Sequence, residues 1–360
     1  MADVKNWDVI VIGGGIIGVS LAIELRKRGA AVLVVERGEP GREASQAAGG
    51  MLVDCPWETR APLQALASAS ARMYPEFAYE VEVDSGMKVD LRDQGTILFV
   101  SEEHRAAAAK IPRAKLDELE PALAESGIRE EAVYLKERSV DPRALIVAAI
   151  KTAKNRGVDF SSGDPVTEIK FLDGRVAGVT TTKTSFQAGK VVNCAGAWSG
   201  TIGSGAPPTR PVKGQMLCLA MPSRTLLKHV VRSPKAYLIP RSDGRLLVGA
   251  TVEEAGFDKR TVPETIQRLH RAALELIPKL RDAKILEDWA GLRPGTPDGL
   301  PILGATEHPG YFVATGHFRD GILLAPVTAK VMSAVISGGK PDLDLRAFAP
   351  ERFARPGAVA

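Results

Sequence analysis

The sequence predicts an α/β fold. A Rossmann-like nucleotide-binding domain is assembled from separated pieces of the chain, and it carries a second, α+β domain built on an antiparallel sheet. Three observations predict this. A strand, a glycine-rich turn and a helix open the chain at residues 8–36. A short apolar strand followed by small residues, VVNCAGAW, appears at 191–198, and strand–loop–helix style returns at the end. Between them, residues 210–287 read as runs of antiparallel strands and one amphipathic helix.

The opening stretch, DVIVIGGGIIGVSLAIELRKRGAAVLVVE, organises the rest. Residues 9–12 are a continuous apolar run, the signature of a buried parallel strand. Gly13, Gly15 and Gly18 follow in the spacing G-x-G-x-x-G. The first permits the tight turn, the second lets backbone approach a pyrophosphate, and the third lets helix and strand pack closely. Residues 16–28 read as a helix with Ile17, Leu21 and Leu25 along one face, so its first turn offers free N–H groups to phosphate. Residues 31–35 form the next strand. Glu36 ends it, placed to accept from ribose hydroxyls and to oppose a 2′-phosphate, which disfavours NADP.

After Glu36, small residues dominate 44–50, a composition that lets backbone run close against a large flat group. Residues 61–82 read as a long helix, with Pro75 expected to kink or break it. Residues 87–91 and 96–100 read as two strands about a turn at Asp93-Gln94-Gly95, 102–110 and 115–120 as short helices, and 132–135 as a strand. Asp141 caps a helix that opens with Pro142 and runs to about Arg156. Residues 165–190 hold short strands, with Asp173-Gly174 a hairpin turn. Residues 191–194 return as a buried strand, and the small residues after it put Gly196 and Trp198 beside a ligand at the sheet's carboxyl edge.

In the middle, 215–220, 236–241 and 246–250 read as strands, with Asp243-Gly244 turning the last pair, and 263–276 reads as an amphipathic helix. The strand 311–315, the loop 316–321 and a helix from Ile322 close the fold. The nucleotide-binding domain is therefore expected from 1–85, 141–209 and 288–345, the second domain from 86–140 and 210–287, and a C-terminal tail over 346–360 that is on the surface from Pro350.

Bulk composition bounds the function. Hydrophobic residues make up 45% and charged residues 25%, the balance of a soluble globule. With 47 basic and 43 acidic residues the net charge is +4, too even for nucleic acid or an anionic membrane surface as partner. Cys55, Cys194 and Cys218 are scattered, so neither a disulfide framework nor a metal site is expected, and Cys194 and Cys218 read as core cysteines. The most apolar segment is the opening strand–turn–helix and not a membrane span. No signal peptide is recognised before it, and a cytoplasmic location is the default.

Five motifs occur in order: GGGIIG with Glu36, ASQAAGGML, NCAGAWS, AGLRPGTPDGLPILG and GHFRDGILLAP. Together they resemble the D-amino-acid oxidase superfamily of FAD enzymes, and within it the glycine oxidases of thiamine biosynthesis. The last two motifs are the specific ones. The resemblance implies non-covalent FAD, contacted by Ile16, Ile17, Glu36, Arg37, Ala44, Ser45, Gly49, Gly50, Met51 and Val166. It adds the loop His317, Arg319, Asp320, Gly321, Ile322 and Leu323. It also implies that Arg293 binds a substrate carboxylate, helped by Tyr237, with Arg319 near the same site. A guanidinium fork matches a carboxylate bidentately. His317 reads as a backbone position of the flavin loop rather than an acid–base catalyst.

Two positions depart from the family. Val252 stands where a pocket methionine is usual, and Lys235 where a pocket histidine is usual. The shorter Val252 leaves room at the substrate side chain and Lys235 adds positive charge, which widens the expected range from glycine to D-alanine, sarcosine or D-proline. The implied reaction is oxidative deamination by hydride transfer to FAD, with dioxygen as acceptor and hydrogen peroxide, ammonia and an oxo acid as products. The implied assembly is a homotetramer. Two rivals remain open: a dehydrogenase of the same fold passing electrons to a quinone or partner, and a non-catalytic flavin-binding subunit.

Overall fold

The computed structural model describes residues 6–100, 109–128, 130–203 and 205–354. Most of the helix expected over 102–110 lies outside the described residues, as does the tail from 355; Lys110–Ile111 is a short strand.

A six-stranded sheet runs in the order Ile302–Ala305, Tyr311–Thr315, Val191–Asn193, Val9–Ile12, Val32–Glu36, Asp159–Ser162. Every neighbouring pair is parallel except the first. Side chains alternate across it, as the two-residue strand period requires. Val9, Val11, Val32 and Val34 pack into a core with the helices Ile16–Lys27, Ala61–Ser85, Pro142–Asn155 and Gly321–Ile336. Ile10, Ile12, Leu33 and Val35 face the other way, onto a three-stranded meander, Val166–Leu172, Arg175–Thr181 and Ser185–Gln187. Burial on both faces explains why these strands are unbroken apolar runs.

The second sheet has eight strands: Ile285–Gly295, Arg210–Ala220, Arg245–Gly249, Tyr237–Pro240, Val230–Arg232, Thr96–Phe99, Ala132–Leu135 and Lys110–Ile111. Only the pair Val230–Arg232 and Thr96–Phe99 is parallel; the rest are antiparallel. Leu217, Leu219, Leu246 and Val248 meet the helix Pro263–Leu276 on one face. Met216, Cys218, Ile239 and Leu247 occupy the other, which faces the first domain with Met51, Tyr237 and Trp289. The boundary expected at 287/288 falls inside the strand Ile285–Gly295, whose whole length is paired with Arg210–Ala220 in this second sheet.

Two local expectations are corrected. Pro75 neither ends nor breaks its helix, which runs unbroken from Ala61 to Ser85. The carbonyl of Ala71, which loses its helical donor to the proline, accepts from Arg138 Nη1 at 3.4 Å. Beside it, Ser70 Oγ and Tyr74 OH donate to the carbonyls of Leu323 and Ile322 at 2.6 and 2.8 Å, so tertiary anchoring overrides the breaker. Residues 87–91 form no strand; Val89 N donates to Glu82 Oε1 at 2.9 Å, away from any ladder. The strands Asp159–Ser162, Val230–Arg232 and Ile285–Gly295 carried no clear periodic signal and are set by their sheet neighbours.

Candidate active site

A cavity of about 890 Å³ lies between the carboxyl edge of the first sheet and the inner face of the second. Its floor begins at the point where strand order reverses, next to Val9–Ile12, the position at which open α/β sheets take ligands. Gly13 has φ +107°, and a Cβ there would stand 2.5 Å from the Cys194 carbonyl oxygen. A Cβ on Gly18 would run into the Gly13 carbonyl, so this glycine is a packing position and does not itself line the cavity. Gly15 faces the cavity with only Ser45 Oγ near its missing Cβ, at 3.3 Å. The helix Ile16–Lys27 has no acidic residue in its first turn, and Ser45 Oγ accepts from Ile16 N at 2.9 Å. Glu36 is buried; its carboxylate accepts from Gly14 N at 2.7 Å and Gly38 N at 3.0 Å while facing the cavity. The Arg37 guanidinium lies 4.3 Å from the centroid of the Trp198 ring.

The small-residue segment 44–51 is a wall of this cavity, and its first part is a short helix, Ala44–Ala47. Trp289 Nε1 donates to the Ala47 carbonyl at 3.1 Å, and a Cβ on Gly291 would strike Ala47, so the segment is seated on the second sheet. Gly49, Gly50 and Met51 line the cavity with Val166 and Gly196. Gly50 has φ +77°, and a Cβ there would meet Pro142 Cγ at 2.8 Å.

Arg293, Tyr237 and Arg319 come together at the end of the cavity enclosed by the second sheet. Arg293 Nη1 donates to the carbonyls of Thr251 at 3.0 Å and Lys213 at 3.3 Å, and no salt bridge to it forms among the described residues. Burial lowers its pKa, as does Arg319, while the Tyr237 hydroxyl and Glu253 raise it. Burial raises the Tyr237 phenol, which keeps its proton available to donate. Two glycines that sequence reasoning passed over make this arrangement fit. A Cβ on Gly214 would stand 2.5 Å from Arg293 Cζ. Gly249 pairs with Tyr237 across the strands, and its Cβ would meet the tyrosine ring at 2.7–2.8 Å; over that gap the hydroxyl reaches Met216 Sδ at 3.8 Å. An isolated glycine inside a strand pattern marks close approach, and that was the available signal.

Val252 lines the cavity and is half exposed. Lys235 also lines it, but its Nζ donates to Glu275 Oε2 at 2.7 Å on an exposed surface, so its charge is paired there and does not enter the pocket. At the same end Arg232 pairs with Glu58, and burial pushes the Glu137 carboxyl up to about 7 despite Arg232 nearby.

The loop before the helix Gly321–Ile336 supplies His317, Arg319, Asp320, Gly321 and Ile322 to the cavity. Leu323 does not reach it: the side chain is buried in the helical core. His317 is neutral, since burial pushes it down to about 3, and its Nε2 bonds Thr328 Oγ1 at 3.1 Å. Phe318 holds a left-handed backbone at φ +46°, which turns the loop, and its N–H donates to the Pro294 carbonyl at 3.0 Å. The cysteine thiols are buried and raised by burial, Cys55 and Cys218 to about 11, and are poor nucleophiles. Among the described residues no acidic, histidine or cysteine cluster is suited to a metal ion, and no helix is long and apolar enough to cross a membrane.

Asp320 gives a pH prediction. Burial pushes its carboxyl up to about 6, against the pull of Arg319 and Arg60. An acid held above its unfolded value binds its proton more tightly when folded. It therefore adds stability that is complete below the unfolded pKa and lost as pH rises to about 6. The loss is at most about 3 kcal/mol. Thermal melts of cofactor-free protein should show the advantage of Asp320→Asn over the parent growing from pH 4 to pH 7.

Comparison with known proteins supplies the family. Residues 8–335 match the DAO family, described as FAD dependent oxidoreductase. The chain is 34% identical to glycine oxidase of Pseudomonas aeruginosa, over 95% of this chain and 98% of that one. It is 35% identical to the bifunctional protein ThiO/ThiG of Trichormus variabilis, over 96% of this chain but only 55% of that protein, so it spans about half of that relative's length. The structure superimposes on crystalline glycine oxidase from Geobacillus kaustophilus with a TM-score of 0.90 at 31% identity, covering 96% of this chain and 99% of that one. FAD is the cofactor, held non-covalently. The residues present fit it: the helix start at Gly15–Ile16, with no Cβ on Gly15 and no acidic residue in the first turn, suits a pyrophosphate, and buried Glu36 on the cavity wall suits a ribose. The chain belongs to the family of FAD dependent oxidoreductases that includes the glycine oxidases.

Proposed function

We propose that this protein oxidises glycine or another small amino acid, in the range of D-alanine, sarcosine and D-proline, and passes the electrons to dioxygen. For glycine the balance is glycine, water and dioxygen to glyoxylate, ammonia and hydrogen peroxide. The observation that carries the reading is Arg293: a largely buried guanidinium in the cavity wall, met by carbonyl oxygens and a tyrosine rather than a carboxylate. A buried cation without an anionic partner is a receptor for one. The resemblance to glycine oxidases adds a role in supplying the thiazole half of thiamine.

Each residue has a stated task. Arg293 takes the substrate carboxylate through the fork left free by its two carbonyl bonds, and Tyr237 donates to the same group. Arg319 adds positive potential, and the N-terminus of the helix Gly321–Ile336 adds more. That field disfavours an ammonium at the same end of the cavity, so the bound amine gives its proton to solvent and presents a neutral lone pair. His317 takes no part as a base, because its ring is buried, neutral and bonded to Thr328. FAD supplies the two-electron acceptor for the bond between Cα and hydrogen. The imino acid that leaves is hydrolysed by water. Val252 leaves room beside the substrate carbon, which extends the range past glycine.

The test is anaerobic titration of the yellow protein with glycine, sarcosine, D-alanine and D-proline, followed by admission of air. Bleaching by at least one of them and one peroxide per substrate oxidised are expected. Bleaching without peroxide would move the assignment to a dehydrogenase with another acceptor; no bleaching by any amine would leave a flavin-binding subunit.

A further inference from the structure

We propose that the segment 251–262 is a strap from the second domain that holds the nucleotide half of FAD in place, with Phe257 as its anchor. Its base is fixed by Gln215, which is fully buried. Gln215 Nε2 donates to both carboxylate oxygens of Glu253 at 2.8 and 3.1 Å, and its Oε1 accepts from Val262 N at 2.7 Å. One side chain thus staples the entry and the exit of the strap. The same strand gives Gln215 N to Thr251 Oγ1 at 2.9 Å.

The tip crosses to the other domain. Phe257 stacks on Trp198 with ring centroids 5.4 Å apart and an interplanar angle of 29°. The Arg37 guanidinium also lies on the Trp198 ring, so Arg37, Trp198 and Phe257 form one contact chain from the Glu36 strand end to the strap. Lys259 Nζ pairs with Glu43 at 2.9 and 3.1 Å. Arg37, Trp198 and Glu43 all line the cavity, while Phe257 stands behind them. Phe257 is 46% exposed and belongs to no hydrophobic core, so it contributes little to folding and its stacking needs another reason. Positioning two cavity-lining side chains supplies one. The strap also begins at Thr251, whose carbonyl accepts from Arg293, so the cofactor end and the carboxylate end of the cavity share one short segment.

This inference rests on FAD's nucleotide lying against Glu36 and Arg37. The test measures FAD dissociation constants by fluorescence quenching on apoprotein of the parent and of Phe257→Ala, Phe257→Tyr and Glu36→Gln. Loss of one stacked ring is expected to weaken FAD roughly tenfold in Phe257→Ala, with the tyrosine variant restoring parental affinity. The apoprotein melting temperature should be unchanged in both, which separates positioning from folding. Parental affinity in Phe257→Ala alongside weakened binding in Glu36→Gln would overturn the strap while keeping the cofactor's placement. Parental affinity in both would overturn the placement as well. Amino-acid oxidation is read separately, by flavin bleaching at saturating FAD.

Discussion

In Arg293→Ala, flavin reduction by glycine is expected to lose saturation, with kcat/KM falling by two to three orders of magnitude. Truncating one partner of a buried, hydrogen-bonded charge pair costs roughly 2–5 kcal/mol, and each 1.4 kcal/mol is about tenfold. The guanidinium is positioned for this: it is largely buried, two main-chain carbonyls hold one of its nitrogens, and no carboxylate of the protein neutralises it among the described residues. Arg293→Lys should recover little, because a point charge on a flexible stem cannot reproduce the fork. FAD affinity should stay near the parental value, since Arg293 belongs to the second sheet while Glu36 and Arg37, proposed above to hold the nucleotide, end a strand of the first. Stopped-flow reduction under nitrogen at saturating FAD makes the measurement. Parental saturation in Arg293→Ala would remove the carboxylate role.

Gly214→Ala is the second large effect, and it replaces no functional side chain. Its new Cβ would lie 2.5 Å from Arg293 Cζ, where ordinary contact needs at least 3.4 Å, so the guanidinium must move by about 1 Å. A displacement of that size costs about 100-fold in a site whose rate depends on orientation. Stability should move the opposite way, because replacing a strand glycine by alanine reduces the entropy lost on folding, by about 0.5–1 kcal/mol. A urea midpoint at or above the parent's, combined with a 100-fold loss of kcat/KM for glycine, is the expected pair of results. Loss of both together would mean that the strand, and not the arginine, had been disturbed.

How much of the protein was legible varies along the chain for physical reasons. Residues 8–36 carried nearly all of their structure in plain view. Strand, turn, helix and Glu36 are contiguous, and each glycine has a local task visible in its spacing, as the crowding at Gly13 and Gly18 shows. The cap at Asp141 was equally local: its carboxylate accepts from Arg143 N at 2.9 Å. Pro75 was misleading because the contacts that carry its helix through come from Leu323 and Ile322, far away in sequence. Lys235 was misleading for a similar reason, since its partner Glu275 comes from a helix beyond the strand pair.

The sequence by itself determined the strand, glycine turn and helix that end at Glu36, and which family's motifs surround them, because those signals depend on neighbours within a turn or a strand end. Only the tertiary structure decided that Arg293 and Tyr237 of the second sheet meet Arg319 of the loop before the last helix in one cavity, and that Gly214 and Gly249 make space for the first two. Cross-strand register is set by pairing between segments far apart in the chain. A missing Cβ therefore matters only once the side chain lying over it is known.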